Sequence, residues 1–499
     1  MASGLRLDGQ SLTLQDCWHF LDQSWEVHLD PEALDRMAAS RRVVEEAVTT
    51  DTVVYGVNTG FGKLSNVRIE HDDLAQLQVN LVLSHAAGVG APLADDVARL
   101  ILLLKANALA SGFSGVRPIM VETCLAVLNT GAIPVIPSQG SVGASGDLAP
   151  LAHLALILVG HPEGRVRHRD RIWAAHEFLH EVGIHPLVLE AKEGLSILNG
   201  TQVSCALAAI ACLRLFRLAD TANTIAALSV DAFQGSAVPF DARISAVRHQ
   251  PGQARVAATI AQLLEGSGIL ASHAGCERVQ DPYSFRCTPQ VHGACADALD
   301  FADRSISYEL NAVTDNPLVF ADTNAILSGG NFHAESCAFA SDIMTIAATE
   351  LASISERRTA QLLDPAASEL PAFLVRDSGL NSGFMLAHVT SAALVSEMKT
   401  LSHPAVVDSI PTSNNKEDHV SMAPWAGRKC LMALDNLEQV LAIELLAAAQ
   451  GIEFRRPLRS SDALEAVMAK VREVVAAYDQ DRVMAPDIAV ARELVREGL

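Results

Sequence analysis

The sequence predicts a mostly α fold, a long helical bundle carrying long loops loaded with reactive side chains. Three observations predict it. Nearly half of the 499 residues are hydrophobic while aromatics make up only 5%, so Ala and Leu, both strong helix formers, supply the apolar surface. Apolar residues recur at three- and four-residue spacings along most of the chain. Strand signals are short and confined to 52–56 and part of 163–172. The chain reads as a single catalytic unit over 1–499. An N-terminal part runs to about residue 200, and a long central bundle with C-terminal helices occupies about 201–499.

The elements follow in chain order. Asp30-Pro31 is an N-cap followed by a proline in the first helical position, opening a helix to about Val48. "DDLAQLQVNLVLSHAAG" and "ADDVARLILLLKANALASG" each carry a helical apolar stripe that runs into a glycine. Residues 201–230 and 333–363 predict long, mostly buried helices. "DALEAVMAKVREVVAAYDQ" predicts an exposed amphipathic helix near the C-terminus. Loops are expected at 55–64, 131–147, 276–292, 311–332 and 403–425, rich in Gly, Pro and Asn but also in Tyr, Arg, His and Glu. Long ordered loops of that composition are where function tends to sit.

Bulk properties exclude several classes. The formal net charge of −21 argues against a nucleic-acid polyanion as partner. No segment reaches the roughly 20 uninterrupted apolar residues of a membrane span, the richest being broken by Lys105, Asn199 or Glu444. Arg6 and Asp8 stand where a secretory signal needs an apolar core. Nine cysteines without a C-x-x-C pair fit a reduced, cytoplasmic protein rather than a disulfide framework.

Three motifs mislead. "HEFLH", His176 to His180, matches the zinc-peptidase pattern with Glu177 as base, but the third histidine of the longer motif, His185, falls one residue early and Pro186 takes its place. A short surface helix capped by Gly183 explains the segment, and no metal is expected. "GVNTGFGKLS" fails as a phosphate loop because Val57 replaces the first glycine and Leu64 the magnesium-binding hydroxyl. Gly140, Gly143 and Gly146 lack the spacing and the βαβ context of a dinucleotide fold.

The stretch "SVGASGDLAP" is different. A helix entry explains Asp147 and Pro150 but not Gly143-Ala144 ahead of them. Small residues allow a tight bend in which the amide nitrogen of Gly146 approaches the carbonyl carbon of Ala144. Cyclisation with dehydration of Ser145 would leave a methylidene on an imidazolone ring, an electrophile made from the chain alone.

"ASGDLAPLAHLAL" resembles the prosthetic-group motif of the aromatic amino acid ammonia-lyase family. "VVYGVNTGFGKLS", "LVLSHAAGVG", "EGLSILNGTQ", "QDPYSFRC", "NAVTDNPLVF", "SGGNFHAE", "GLNSGFM" and "PTSNNKEDHVSM" resemble further family segments, in the family's order, over about residues 53–425. The resemblance implies an aspartase/fumarase-like ammonia-lyase fold and a homotetramer whose active sites draw loops from three subunits. It also implies a 4-methylidene-imidazol-5-one formed autocatalytically from Ala144, Ser145 and Gly146, with no external cofactor.

That chemistry needs an electrophile for the amine and a base at the β-carbon. Two of the four tyrosines lie in the loops. The resemblance makes Tyr55 the base and gives Tyr283 a part in supporting the electrophile or the proton path. Arg286, three residues on, would clamp the substrate carboxylate in a two-bond fork. Asn199 would contact that carboxylate or the prosthetic ring, Gln280 would stand behind them, and Phe332 would border the ring and exclude water.

Two positions bear on the substrate. His85 stands where histidine- and tyrosine-acting members carry histidine and phenylalanine-acting members an apolar residue. Glu417 stands where phenylalanine-acting members have glutamine. A carboxylate can accept from an imidazole N–H, whereas a benzene ring would leave it unpaired at a cost of a few kcal/mol, roughly hundredfold in selectivity. L-Histidine going to trans-urocanate and ammonia is the expectation; a lyase or 2,3-aminomutase for another aromatic amino acid such as tyrosine is the alternative. Two departures bear on the substrate rather than the reaction: Lys416 replaces the usual glutamine and could pair with Glu417, and His292 replaces the usual methionine.

Overall fold

The computed structural model describes residues 4–23, 25–50, 54, 56–59, 69–70, 73–275 and 278–499. Most of the anticipated strand at 52–56, Tyr55 and most of the 55–64 loop therefore lie outside the described residues. The chain forms two compact units. The first comprises residues 1–210, 303–341 and 404–428, the second 211–302, 342–403 and 429–499.

The first unit is built on helices whose limits follow from the sequence. Pro31–Thr49 begins where Asp30 accepts from the Glu32 amide, and Leu74–His85 and Asp95–Ala110 cover the two striped segments. Asp95–Ala110 is buried along nearly its whole length and packs against Pro118–Asn129. Leu148–Leu158 is nearly all apolar and nearly all buried. Val43 and Val44 join Val57, Leu74, Ala191 and Val319 in a core cluster.

All strands among the described residues belong to this unit, in four small sheets. Gly4–Leu7 pairs parallel with Glu26–Leu29, while the hairpin Arg165–His168 with Arg171–Ala174 fulfils the strand signal at 163–172. Their shortness fits a role in tying loops rather than in forming a core.

The second unit is helical throughout. Its elements include Pro251–Leu264, Met385–Leu401, Asp462–Val474 and Ala485–Glu497, with the amphipathic stripe Leu464, Val467, Met468 and Val471 facing inward on Asp462–Val474. Four long helices, Gln202–Ala232, Thr288–Glu309, Glu335–Leu363 and Ala423–Arg455, contribute residues to both units. The expected loop 276–292 is thus corrected: Tyr283–Arg286 is a short helix within it, and Thr288 opens a long helix on which His292 lies.

Gln202–Ala232 and Glu335–Leu363 are long and apolar enough to cross a membrane, yet 72% of the apolar stretch of each is buried within the protein. The buried charges of Glu335–Leu363 are paired. Arg358 and Glu444, both fully buried, meet through Nε–Oε1 (2.5 Å) and Nη2–Oε2 (2.9 Å), and Ser229 donates to the same carboxylate at 2.7 Å. Removing one member of such a pair strands the other charge. Glu444→Ala is accordingly expected to lower stability by about 3–5 kcal/mol in urea unfolding, and Glu444→Leu combined with Arg358→Met to recover most of it.

Candidate active site

The loop 140–147 leads into helix Leu148–Leu158, with Ala144, Gly146 and Asp147 buried and Ser145 half-buried. Gly146 (φ +70°) and Gly200 (φ +136°) face each other across an isolated parallel bridge. A Cβ at Gly146 would lie 2.4 Å from both N and O of Gly200, inside any tolerable contact. The Asp147 amide then donates to the Gly200 carbonyl at 2.7 Å.

Other segments close on the same loop. Gly143 O accepts from Ser421 Oγ (2.9 Å) and the Ala334 amide (3.3 Å), and Val142 O from the Met422 amide (2.8 Å). The Asp147 carboxylate accepts from the Ser204 amide (2.8 Å), Ser204 Oγ (3.0 Å) and Ser141 Oγ (3.0 Å). Burial outweighs these bonds and pushes Asp147 up to about 6.

Asn199 leaves the six-residue helix Glu193–Leu198 and aims its amide at Ser145. Nδ2 donates to the Ser145 carbonyl at 2.5 Å and reaches Ser145 Oγ at 3.2 Å, while its buried Oδ1 has no partner. The helix is itself braced. Buried Glu193 takes a two-bond fork from Arg117 (2.8 and 2.6 Å), and buried Lys192 bonds Asp315 and Ser196 Oγ, both at 3.0 Å.

His85 closes helix Leu74–His85, with Nδ1 bonded to the Leu81 carbonyl at 2.9 Å, so that Nδ1 carries the proton. Burial pulls its pKa down, against an upward pull from the Leu81 bond and from Glu417. Glu417 is half-buried and accepts from Thr412 Oγ1 at 2.6 Å. Lys416 is exposed and makes no ion pair among the described residues. Phe332, half-buried, stands two residues before the Ala334 amide that holds the loop.

The second unit carries the other sequence candidates. Arg286 stacks over the Tyr283 ring, 4.6 Å from guanidinium carbon to centroid, and its buried Nε has no partner. Tyr283 is 70% exposed and Gln280 is exposed. Gln280, Arg286 and Gln290 line a cavity of about 330 Å³ with Val238 and Ile244. His292 lies elsewhere: it is buried, bonds Asn223 Oδ1 at 2.8 Å, and is held well below the usual histidine range by burial and by Arg358.

His176, Glu177 and His180 lie on the exposed side of Ala175–Glu181, a short helix ending before Gly183. Among the described residues, the grouping close enough to share an ion is instead His333, Glu335 and His419. His333 Nε2 donates to the His419 carbonyl at 3.2 Å and its Nδ1 stands 3.6 Å from Glu335 Oε2. The sequence reading missed this grouping. No local signal could have found it, since His333 and His419 lie 86 residues apart.

The loop stripped of side chains and held at its serine carbonyl sits in a chain whose family match and relatives make it a carbon–nitrogen lyase. The chain matches the aromatic amino acid lyase family over residues 12–473 and belongs to it. It is 55% identical to a histidine ammonia-lyase of Rhodospirillum rubrum over 94% of this chain and 91% of that one. It is 51% identical to the histidine ammonia-lyase of Idiomarina loihiensis over 99% and 97%. Among solved structures it resembles histidine ammonia-lyase from Trypanosoma cruzi (TM-score 0.92, 42% identity, 99% of this chain and 94% of that one). It also resembles a tyrosine aminomutase from Streptomyces globisporus (TM-score 0.94, 36% identity, 99% and 97%).

Two outcomes test the loop. Gly146→Ala should abolish assembly of the loop on Gly200, read as roughly a thousandfold or greater loss of turnover in a chain that keeps its helical circular dichroism. Asp147 is raised in the folded chain from 3.8 to about 6, so its contribution to stability is full below about pH 4 and is lost as pH rises through about 6. Urea unfolding of wild type and Asp147→Asn should therefore show their difference shifting in favour of the variant across that range.

Proposed function

We propose that this chain eliminates ammonia from L-histidine to give trans-urocanate, the opening step of histidine degradation, in the cytoplasm. The observation that carries the substrate is Glu417, a half-buried carboxylate bonded to a threonine hydroxyl, not ion-paired with Lys416 and felt electrostatically by His85. It can accept from an imidazole N–H. The names borne by relatives more than half identical to this chain support the same substrate.

The residues present fit a 4-methylidene-imidazol-5-one formed from Ala144, Ser145 and Gly146. The Gly146 side of the cradle has no room for a Cβ, and the Ser145 carbonyl, which such a ring retains, already receives the Asn199 amide. When formed, the group supplies an electrophile that takes up the substrate and lets ammonia depart. Asn199 holds that carbonyl oxygen, where negative charge would gather. Phe332 excludes water beside it. Tyr55 takes the β-proton, its phenol needing a large fall from the usual value of about 10 or a strong driving force. Arg286 holds the substrate carboxylate, with Tyr283 and Gln280 beside it.

We assign these roles within a homotetramer whose sites are shared. The exposure of Gln280 and Tyr283 supports it, as do Tyr308, Phe339, Trp425 and Met432, large apolar side chains left exposed on long helices.

The test is an absorbance scan with L-histidine, L-tyrosine and L-phenylalanine. Urocanate is expected from histidine alone. A β-amino acid without conjugated acrylate would instead mark an aminomutase. Ser145→Ala should lose roughly a thousandfold or more in kcat, and Glu417→Gln roughly a hundredfold in kcat/KM for histidine.

A further inference from the structure

One fully buried cation has no part in the chemistry above. Lys105, on helix Asp95–Ala110, is 1% exposed, and its Nζ donates to the carbonyls of Ser196 (2.9 Å) and Asn199 (2.8 Å). No carboxylate stands within ion-pair distance of it among the described residues, whereas Lys192 nearby has Asp315 at 3.0 Å. Burying an ammonium costs several kcal/mol unless its donors are well used. Here they are used on two peptide carbonyls where helix Glu193–Leu198 ends.

Those carbonyls decide where Asn199 points. The Asn199 amide closes on Leu195 O at 2.9 Å, its backbone turns extended (φ −86°, ψ 131°), and the next carbonyl, Gly200 O, takes the Asp147 amide. With its own carbonyl bound to Lys105, the Asn199 backbone is fixed on both sides. From that fixed backbone its side chain runs onto Ser145 O and Oγ.

We propose that Lys105 is a positioning residue for the prosthetic group, clamping the Asn199 backbone so that the Asn199 amide stays on the Ser145 carbonyl oxygen. The inference rests on the reading that Ala144, Ser145 and Gly146 cyclise. In that reaction the Gly146 nitrogen bonds to the Ala144 carbonyl carbon. The carbonyl oxygen departs as water with the amide hydrogens of Gly146 and Ser145. A second water takes Ser145 Oγ with its hydrogen and the Ser145 Cα hydrogen. That Cα hydrogen is adjacent to the carbonyl Asn199 holds, so a donor fixed on the oxygen stabilises the charge left as the proton goes.

Intact-mass spectrometry and near-ultraviolet absorbance read the two lost waters independently of turnover. The full-length chain would be compared with Lys105→Met, Lys105→Arg, Asn199→Ala and the double variant Lys105→Met with Asn199→Ala. Lys105→Met should keep the helical circular dichroism but lose its waters roughly ten- to hundredfold more slowly. Lys105→Arg, which can donate to both carbonyls, should restore the rate. The double variant should be no slower than Asn199→Ala alone, because the lysine acts through that side chain.

Lys105→Met cyclising at the wild-type rate would overturn the proposal, and so would losses that multiply in the double variant. Should Lys105→Met fail to fold, Lys105→Gln, which keeps one donation, takes its place under the same criteria. A wild-type chain that is not two waters lighter would instead overturn the cyclisation reading beneath it.

Discussion

The close approach of Gly146 to Gly200 is the contact on which the rest of the site depends. Two backbones meet where no side chain can come between, and each is then fixed by its neighbours: Asp147 by Ser204 and Ser141, Asn199 by its bond to Ser145. The stripped composition of 143–146 thus serves a steric purpose. A hydrogen-bonded turn alone would tolerate one larger residue; a backbone pressed onto another backbone does not.

Both units also bury charged side chains. Arg117 with Glu193, Lys192 with Asp315 and Arg358 with Glu444 each resolve the desolvation problem by pairing. Asp147 and Lys105 do not. They are satisfied by neutral donors and carbonyls, and burial moves both toward neutrality, Lys105 down to about 8. Such groups hold geometry rather than supply stability, which is why they sit directly behind the loop.

Much of this was legible in the sequence. Asp30-Pro31 gave a true helix start and the striped segments gave helices. The small residues at 143–146 pointed to a bend within the loop, the Gly146 nitrogen toward the Ala144 carbonyl carbon; the packing of Gly146 onto a second backbone is a separate feature. Its partner Gly200 was not legible, because nothing local links residues so far apart. The helix Ala423–Arg455 was missed because Lys429, Glu438 and Glu444 interrupt its apolar pattern; tertiary partners such as Asp342, Arg214 and Arg358 remove that objection. Likewise the C-terminal end of the 276–292 loop was misjudged, since Pro289 marks the first turn of a helix as readily as a loop.

The segments that grip the loop, 199–204, 332–335 and 419–422, are scattered over more than two hundred residues of chain. The full set cannot be in place until most of that chain has been made and gathered. A ring closed there would be an irreversible chemical event conditional on long-range folding. Each molecule would then carry a permanent covalent record that it had once reached its native arrangement, and one that stalled earlier would remain unmarked.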